Sequence, residues 1–100
     1  MISFTLGEIA GITGGRYSGP KELLDRRIQD ATIDSRTVQS GCLFVPIVGE
    51  RFDGHDFIPQ AIDKGAIAVL AENEKSYTCP VIYVDSTVKA LLAMAKAYRA

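Results

Sequence analysis

The chain has 100 residues, of which 47% are hydrophobic and 23% charged, a composition typical of a single globular domain. Eleven Lys and Arg residues against twelve Asp and Glu residues give a formal net charge of -1 at pH 7. This balance argues against a general affinity for nucleic acid or for anionic membranes. No apolar run reaches the length of a membrane span and no basic leader precedes one, so we expect a soluble, cytoplasmic protein.

The opening half of the sequence predicts a helix, a short strand and two longer strands. Thr5 and Glu8 have the spacing of a capping box, and the helix that they begin should end at Gly14-Gly15. A brief strand is expected around Arg16-Tyr17-Ser18. Further strands are predicted over 28–33 and over the apolar run 42–48, which should be buried on both faces.

The second half predicts helices alternating with strands. Asp56 should cap a helix that runs to Lys64, and strands are expected over 66–71 and 81–84. Asp85 or Ser86 should cap a last helix, whose core face is expected to hold Val88, Leu91, Leu92, Ala95 and Tyr98. The order predicts an α/β fold: a small single-domain sheet with flanking helices and at least one parallel βαβ crossover between residues 42 and 71.

The cysteines and the single histidine give no metal-binding pattern. Cys42 and Cys79 each lie in an apolar run, and neither has a Cys or His partner at ligand spacing. Two buried free thiols are favoured over the alternative, a disulfide between them. We therefore predict that the chain holds no metal ion.

Two polar loops follow predicted strands, where α/β sheets bind ligands. One is Asp34-Ser35-Arg36, and the other is Gly49–His55, which contains Arg51 and Phe52. Arginine can bind phosphate with two parallel hydrogen bonds, and Phe52 could stack on a planar ring, so the loops indicate a small anionic, nucleotide-like ligand. In the alternative, both loops are only turns and caps, with Asp34 bound to local backbone and His55 to a carbonyl.

The chain shows few features of a catalyst. It has no phosphate-binding loop of the Gly-x-x-x-x-Gly-Lys type and no dinucleotide fingerprint. Asp53 and His55 are the only acid–base pair, and they lie two residues apart in one loop. The residues by themselves favour a binding domain.

Three linked segments resemble the N-terminal domain of the Mur ligases. They are Ile33-Asp34-Ser35-Arg36, then Gly41-Cys42-Leu43-Phe44-Val45, then Gly49-Glu50-Arg51-Phe52-Asp53-Gly54-His55-Asp56-Phe57-Ile58, and the match continues through Ala61 and Gly65-Ala66. The resemblance implies that residues 1–100 are the substrate-binding domain of an enzyme whose central ATPase domain and C-terminal domain are absent from this chain. The complete enzyme would use ATP and Mg²⁺, and this fragment would bind neither and would be inactive.

The form of the Gly49–Phe57 segment is most similar to members that add D-alanyl-D-alanine to UDP-N-acetylmuramoyl-tripeptide. The alternative within the family is addition of the third amino acid to UDP-N-acetylmuramoyl-L-alanyl-D-glutamate. Outside it, a stand-alone UDP-sugar-binding module and a purely structural domain are the other hypotheses. The expected partners are the UDP-N-acetylmuramoyl-peptide and the missing domains, with no nucleic acid and no membrane.

The resemblance also assigns site residues. Ile33 and Ser35 match positions that line the uridine and diphosphate pocket. Glu50, Arg51 and Phe52 match by position a loop that contacts the nucleotide-sugar in the members that add the third amino acid, although the residue types differ. The motif residues Arg36, Asp53 and His55 are expected beside the substrate, fixing the two loops against each other, and no catalytic residue is expected in this chain.

Overall fold

A five-stranded mixed sheet forms the centre of the molecule. The computed structural model describes residues 4–51 and 53–99. The strands are β1 (Arg16–Ser18), β2 (Ala31–Thr32), β3 (Leu43–Phe44), β4 (Ala68–Ala71) and β5 (Val81–Tyr83), in the order β1-β5-β4-β3-β2. β2, β3, β4 and β5 run parallel to one another, and β1 pairs antiparallel with β5. This arrangement confirms the predicted α/β fold with a parallel crossover.

Helices cover both faces of the sheet. They are α1 (Leu6–Thr13), α2 (Ile58–Asp63) and α3 (Thr87–Arg99), with 3₁₀ turns at Lys21–Asp25, Ser35–Thr37 and Gly54–Phe57. Successive residues of a strand point to opposite faces, so Ala68 and Leu70 of β4 pack with α1 and α3, whereas Val69 and Ala71 pack on the side of α2. α2 supplies the crossover from β3 to β4.

The predicted start of α1 is confirmed. The Thr5 hydroxyl accepts the Glu8 N–H at 3.1 Å, and the Glu8 carboxylate accepts the Thr5 N–H at 2.8 Å. The Thr5 N–H also holds the pKa of Glu8 below its usual value. The helix ends at Gly14, whose φ of 67° favours glycine.

Two local predictions were wrong. The 42–48 strand pairs only over Leu43–Phe44, because Pro46 has no N–H to continue the ladder. Asp56 does not cap α2; Asp53 caps the 3₁₀ turn that precedes the helix, and Phe57 is the N-cap residue, without a side-chain hydrogen bond.

The predicted core face of α3 was only partly right: Leu91 packs against the core, but other members of the face do not. Ala90 and Met94 are buried against α1, whereas Val88, Leu92 and Tyr98 are exposed. The prediction that Ser86 caps this helix is confirmed, since its Oγ accepts the Lys89 N–H at 3.2 Å.

Both cysteines are free, as predicted. Cys42 is buried, but Cys79 is only partly buried. Burial raises the pKa of the Cys79 thiol to about 11.

Candidate functional site

A cavity of about 680 Å³ opens at the carboxyl ends of β2 and β3. The residues directly after β2 form one part of its lining, and the end of β3, the 3₁₀ turn and α2 form the rest. Its lining residues are Ile33, Asp34, Ser35, Arg36, Phe44, Ile47, Gly54, Phe57 and Gln60. This is the position at which open α/β sheets bind ligands.

The Asp34–Arg36 turn is stabilised by hydrogen bonds and an ion pair between Asp34 and Arg36. The Asp34 carboxylate accepts the Arg36 backbone N–H at 2.9 Å, and the guanidinium donates to the same carboxylate from Nε at 3.1 Å and from Nη2 at 2.9 Å. The guanidinium and the backbone N–H keep the pKa of Asp34 below its usual value. The Arg36 charge therefore neutralises a carboxylate that lines the cavity.

Ser35 provides the cavity with a polar group that has no competing bond. The residue is buried, and its hydroxyl has no hydrogen-bond partner within residues 4–51 and 53–99. A hydroxyl can donate one hydrogen bond and accept two, so it can bind a sugar hydroxyl, a carbonyl or a phosphate oxygen.

The remaining surface of the cavity is mainly apolar. Phe44 is buried, whereas Ile33 and Phe57 remain 57% and 41% exposed. Exposed apolar side chains that line a concave surface are typical of binding sites, and an aromatic ring such as Phe57 can stack on a planar base.

The Asp53-Gly54-His55 segment contributes Gly54 to one wall of this cavity. The Asp53 carboxylate accepts the His55 backbone N–H at 2.9 Å and contacts Nδ1 of the His55 ring at 2.6 Å. The backbone N–H and the ring keep the pKa of Asp53 below its usual value. Gly54 donates its N–H to the Ile47 carbonyl at 2.9 Å, which brings the turn against the end of β3.

The structure brings together only some of the residues predicted for the site. Ile33, Ser35 and Arg36 line the cavity, while Asp53 and His55 hold the wall to which Gly54 belongs. Glu50 and Arg51 are exposed and lie outside the lining, and Phe52 lies outside the described residues.

Sequence reasoning missed most of the apolar lining. No binding role was predicted for Phe57, Ile47 or Gln60, all of which line the cavity. The signal for Phe44 was its place within an apolar run that is flanked by two polar loops. Nothing in the local sequence distinguishes an exposed Phe57 from a buried one.

The described residues offer groups for binding and few for catalysis. Within residues 4–51 and 53–99, no group of three or more His, Cys, Asp and Glu side chains could hold a metal ion. No helix in the same part of the chain is long and apolar enough to cross a membrane. The cavity combines the Phe57 ring, the Ser35 hydroxyl and the Arg36 guanidinium, which is paired with Asp34. These groups suit reversible binding of a polar ligand with a planar part.

Comparison with known proteins gives the class to which this fold and site belong. Residues 27–99 match the family described as "Mur ligase family, catalytic domain". The chain therefore belongs to the Mur ligase family.

Individual relatives come from two branches of that family. The chain is 39% identical over 103 residues to the UDP-N-acetylmuramoyl-tripeptide–D-alanyl-D-alanine ligase of Bacillus subtilis, covering 98% of this chain and 22% of the relative. It is 47% identical over 66 residues to the UDP-N-acetylmuramoyl-L-alanyl-D-glutamate–2,6-diaminopimelate ligase of Aquifex aeolicus, covering 66% of this chain and 14% of that protein. A crystal structure of MurF from Acinetobacter baumannii superimposes with a TM-score of 0.82 and 26% identity, over 94% of this chain and 20% of the MurF chain. The chain thus spans about a fifth or less of the length of these proteins.

Proposed function

We propose that this chain is the substrate-binding domain of a complete Mur ligase and holds the UDP part of UDP-N-acetylmuramoyl-tripeptide. The observation that carries the proposal is the cavity after β2 and β3, in which the Ser35 hydroxyl has no hydrogen-bond partner within the described residues. Phe57 and Ile33 offer apolar contact to a uracil ring, and Ser35 offers a hydrogen bond to the ribose or diphosphate.

Arg36 is the residue that would bind the negatively charged diphosphate. In the structure its guanidinium is bound to Asp34, so the ligand must draw it away from that carboxylate. Exposed ion pairs contribute only about 0–1 kcal/mol, and a phosphate is a stronger acceptor of a paired arginine bond. The exchange of partners therefore costs little.

Addition of D-alanyl-D-alanine is the reaction that we assign to the complete enzyme. The similarity to the Bacillus subtilis ligase extends over nearly the whole chain, including α1 and β1, and the Acinetobacter baumannii MurF structure superimposes over a similar share. The alternative is addition of the third amino acid. It is favoured by the higher identity to the Aquifex aeolicus ligase, although that similarity extends over a shorter stretch of the chain.

The rest of the activity belongs to parts of the enzyme beyond this domain. In this proposal the ATP and Mg²⁺ sites and the site of the incoming dipeptide lie in a central and a C-terminal domain, and the complete enzyme works in the cytoplasm. Residues 1–100 alone bind substrate and do not catalyse peptide-bond formation.

An NMR amide titration of the 100-residue chain with UDP-N-acetylmuramoyl-tripeptide tests the proposed binding. We expect shifts at Ser35, Arg36, Gly54 and Phe57, and none with ATP. Ser35→Ala should weaken binding roughly tenfold through loss of one hydrogen bond. Ser18→Ala is the matched control, because Ser18 lies on β1 at the opposite edge of the sheet.

Two results would contradict the binding proposal. One is the absence of shifts in these residues at about 10 mM ligand, well above a dissociation constant of about 1 mM. The other is an equal response to ATP.

The reaction itself requires the complete enzyme. Phosphate release from ATP should depend on UDP-N-acetylmuramoyl-tripeptide together with D-alanyl-D-alanine. Activity with UDP-N-acetylmuramoyl-L-alanyl-D-glutamate and a single amino acid would assign the alternative reaction.

A further inference from the structure

The His55 ring has both of its nitrogens engaged in the interior. The side chain is only 5% exposed, and its Nδ1 lies 2.6 Å from the Asp53 carboxylate. On the other side of the ring, Nε2 lies 2.8 Å from the backbone N–H of Glu72, the residue that directly follows β4. The ring thus joins the loop after β3 to the end of β4.

These partners fix the proton on one nitrogen. The Glu72 backbone N–H can only donate, so Nε2 must accept and must carry no proton. The proton of the neutral ring then lies on Nδ1 and is donated to Asp53. A second proton on Nε2 would remove the acceptor and set two N–H groups against each other.

Glu72 extends the same connection to α3. Its carboxylate Oε2 accepts the Thr87 backbone N–H at 2.8 Å and the Thr87 hydroxyl at 3.1 Å. Thr87 is fully buried and is the first residue of α3. Glu72, whose backbone N–H donates to His55, is therefore itself bound to the first residue of α3.

We infer that neutral His55 positions the wall of the cavity by fastening the Asp53–Phe57 turn to the end of β4, and that protonation of Nε2 releases this wall. Gly54, the neighbour of His55, lines the cavity, so a shift of the turn reaches the binding surface directly. The expected effect on substrate affinity rests on the proposed function. The expected movement of the Asp53–Phe57 turn does not depend on it.

Four charged side chains lie on the elements around His55. Asp53, on the same turn, contacts the ring, and the charge of Lys75 acts on the Asp53 carboxylate. The Glu72 carboxylate is bound to Thr87 at the start of α3, and Asp56 follows on the exposed side of the turn. When Nε2 of His55 carries a proton, it can no longer accept the Glu72 backbone N–H. The charged ring is therefore incompatible with the observed geometry.

Imidazole ¹⁵N shifts and amide shifts, measured between about pH 8 and about pH 5, test the inference. At the upper end we expect a protonated Nδ1, an unprotonated Nε2 and a Glu72 amide protected from exchange. On acidification the Glu72 and Gly54 amides should shift with the same midpoint as the ring. A proton on Nε2 at the upper end, or a Gly54 amide that ignores the ring titration, would overturn it.

Two variants separate the two bonds of the ring. In His55→Gln the side-chain carbonyl can accept the Glu72 N–H and cannot titrate, so the Gly54 amide should become independent of pH in this range. In His55→Asn the shorter amide can still donate to Asp53 but loses Glu72, so Glu72 amide exchange should accelerate about tenfold or more. A Gly54 response in His55→Gln equal to that of the wild type would contradict the inference, and the wild-type titration decides it if either variant does not fold.

Ligand affinity gives a separate readout. UDP-N-acetylmuramoyl-tripeptide is the right probe, because its diphosphate is esterified at both ends and lacks the terminal phosphate ionisation near pH 6. We expect wild-type affinity to fall about tenfold on protonation of His55, and that of His55→Gln to stay level. Absence of binding at every pH would defeat the proposed function, whereas the Gly54 shifts would still decide the positioning role.

Discussion

Gly54 shows how close approach of two backbone segments fixes a residue type in the wall of the cavity. A Cβ atom at this position would lie 2.6 Å from the Ile47 nitrogen, 2.8 Å from the Ile47 carbonyl oxygen and 3.0 Å from the Pro46 Cα. All three are backbone atoms, which cannot move aside as a flexible side chain can. The Asp53-Gly54-His55 motif therefore combines a cap, a point of close contact and a bridge to β4.

Replacement of Gly54 by alanine tests this close contact. We expect Gly54→Ala to lower the free energy of unfolding by about 1–3 kcal/mol, the usual cost of overpacking, and to shift the amides of Ile47 and His55. Gly11→Ala is the matched control, since within the described residues nothing lies within 4 Å of a Cβ at Gly11, and alanine favours the α1 helix. Urea denaturation compares the two, and equal stabilities would show that the contact is unimportant.

Cys79 allows a pH-dependent prediction at the scale of one residue. Burial raises its pKa to about 11, and its Sγ donates to the Pro80 carbonyl at 3.4 Å. Since only the thiolate reacts, alkylation at neutral pH should be about three hundredfold slower than for an ordinary thiol with a pKa of about 8.5.

The Cys42→Ala background isolates the reaction of Cys79 with iodoacetamide. The rate should rise about tenfold for each pH unit up to about pH 9.5 without reaching a plateau, because the thiol remains mostly protonated over this range. A plateau near pH 8.5 would contradict a buried thiol. Far-UV circular dichroism at each pH confirms that the fold is intact.

Among the elements, those whose signals are local were predicted from the sequence. The capping box of α1 needs only Thr5 and Glu8, three residues apart, and it forms as expected. The extent of β3 depends on its partners instead: it pairs with β2 and β4, and the pairing ends before Pro46. The pattern of an apolar run gives no information about where hydrogen bonding to neighbouring strands stops.

The orientation of α3 shows a second limit of local patterns. The helix has apolar residues on two stripes, and helical spacing alone favoured the one with Val88 and Leu92. α1 packs instead against Ala90 and Met94, whose neighbours Ala93 and Ala97 are small enough for close approach. The choice between the stripes is made by the partner helix.

A pair of substitutions in α3 checks its orientation. Met94→Ala should destabilise the chain by about 2 kcal/mol or more, because Met94 is 5% exposed and its removal leaves a cavity against α1. Leu92→Ala should change stability by less than about 0.5 kcal/mol, because Leu92 is 64% exposed. Thermal or urea unfolding of both variants measures the difference, and a larger effect at Leu92 would restore the face expected from sequence.

The candidate site was predictable in position and only partly in composition. Because parallel strands end at one edge of a sheet, two polar loops after strands had to lie near each other, and Ile33, Ser35 and Arg36 do line the cavity. The apolar half of the lining depends on how α2 packs, which brings Phe57 and Gln60 to the cavity and leaves Glu50 and Arg51 outside it. That packing depends on contacts between distant segments.

At the scale of the whole molecule, the carboxyl ends of β2, β3 and β4 meet in one region. β2 leads into the Asp34–Arg36 turn, β3 into the loop that contains Gly54, and β4 into Glu72. Glu72 in turn anchors the first residue of α3. The cavity and the start of the last helix are thus connected through a single buried imidazole.

The size of the chain relative to the proteins that it resembles leads to a prediction about how affinity is divided. The chain matches 22% of the Bacillus subtilis ligase, and its cavity of about 680 Å³ lies within the usual range for small-molecule sites. If this domain holds the UDP end, the 100-residue chain should bind UDP and UDP-N-acetylmuramoyl-tripeptide with dissociation constants within about threefold of each other, because the peptide end meets no surface here. The complete enzyme should instead prefer the full substrate by a hundredfold or more, on the order of 3 kcal/mol, through contacts made by its other domains. Isothermal titration calorimetry on both proteins at one ionic strength measures the two ratios. A strong preference of the 100-residue chain for the peptide-bearing substrate would mean that the cavity faces the peptide, and the assignment of Ser35 and Phe57 to the nucleotide would then be wrong.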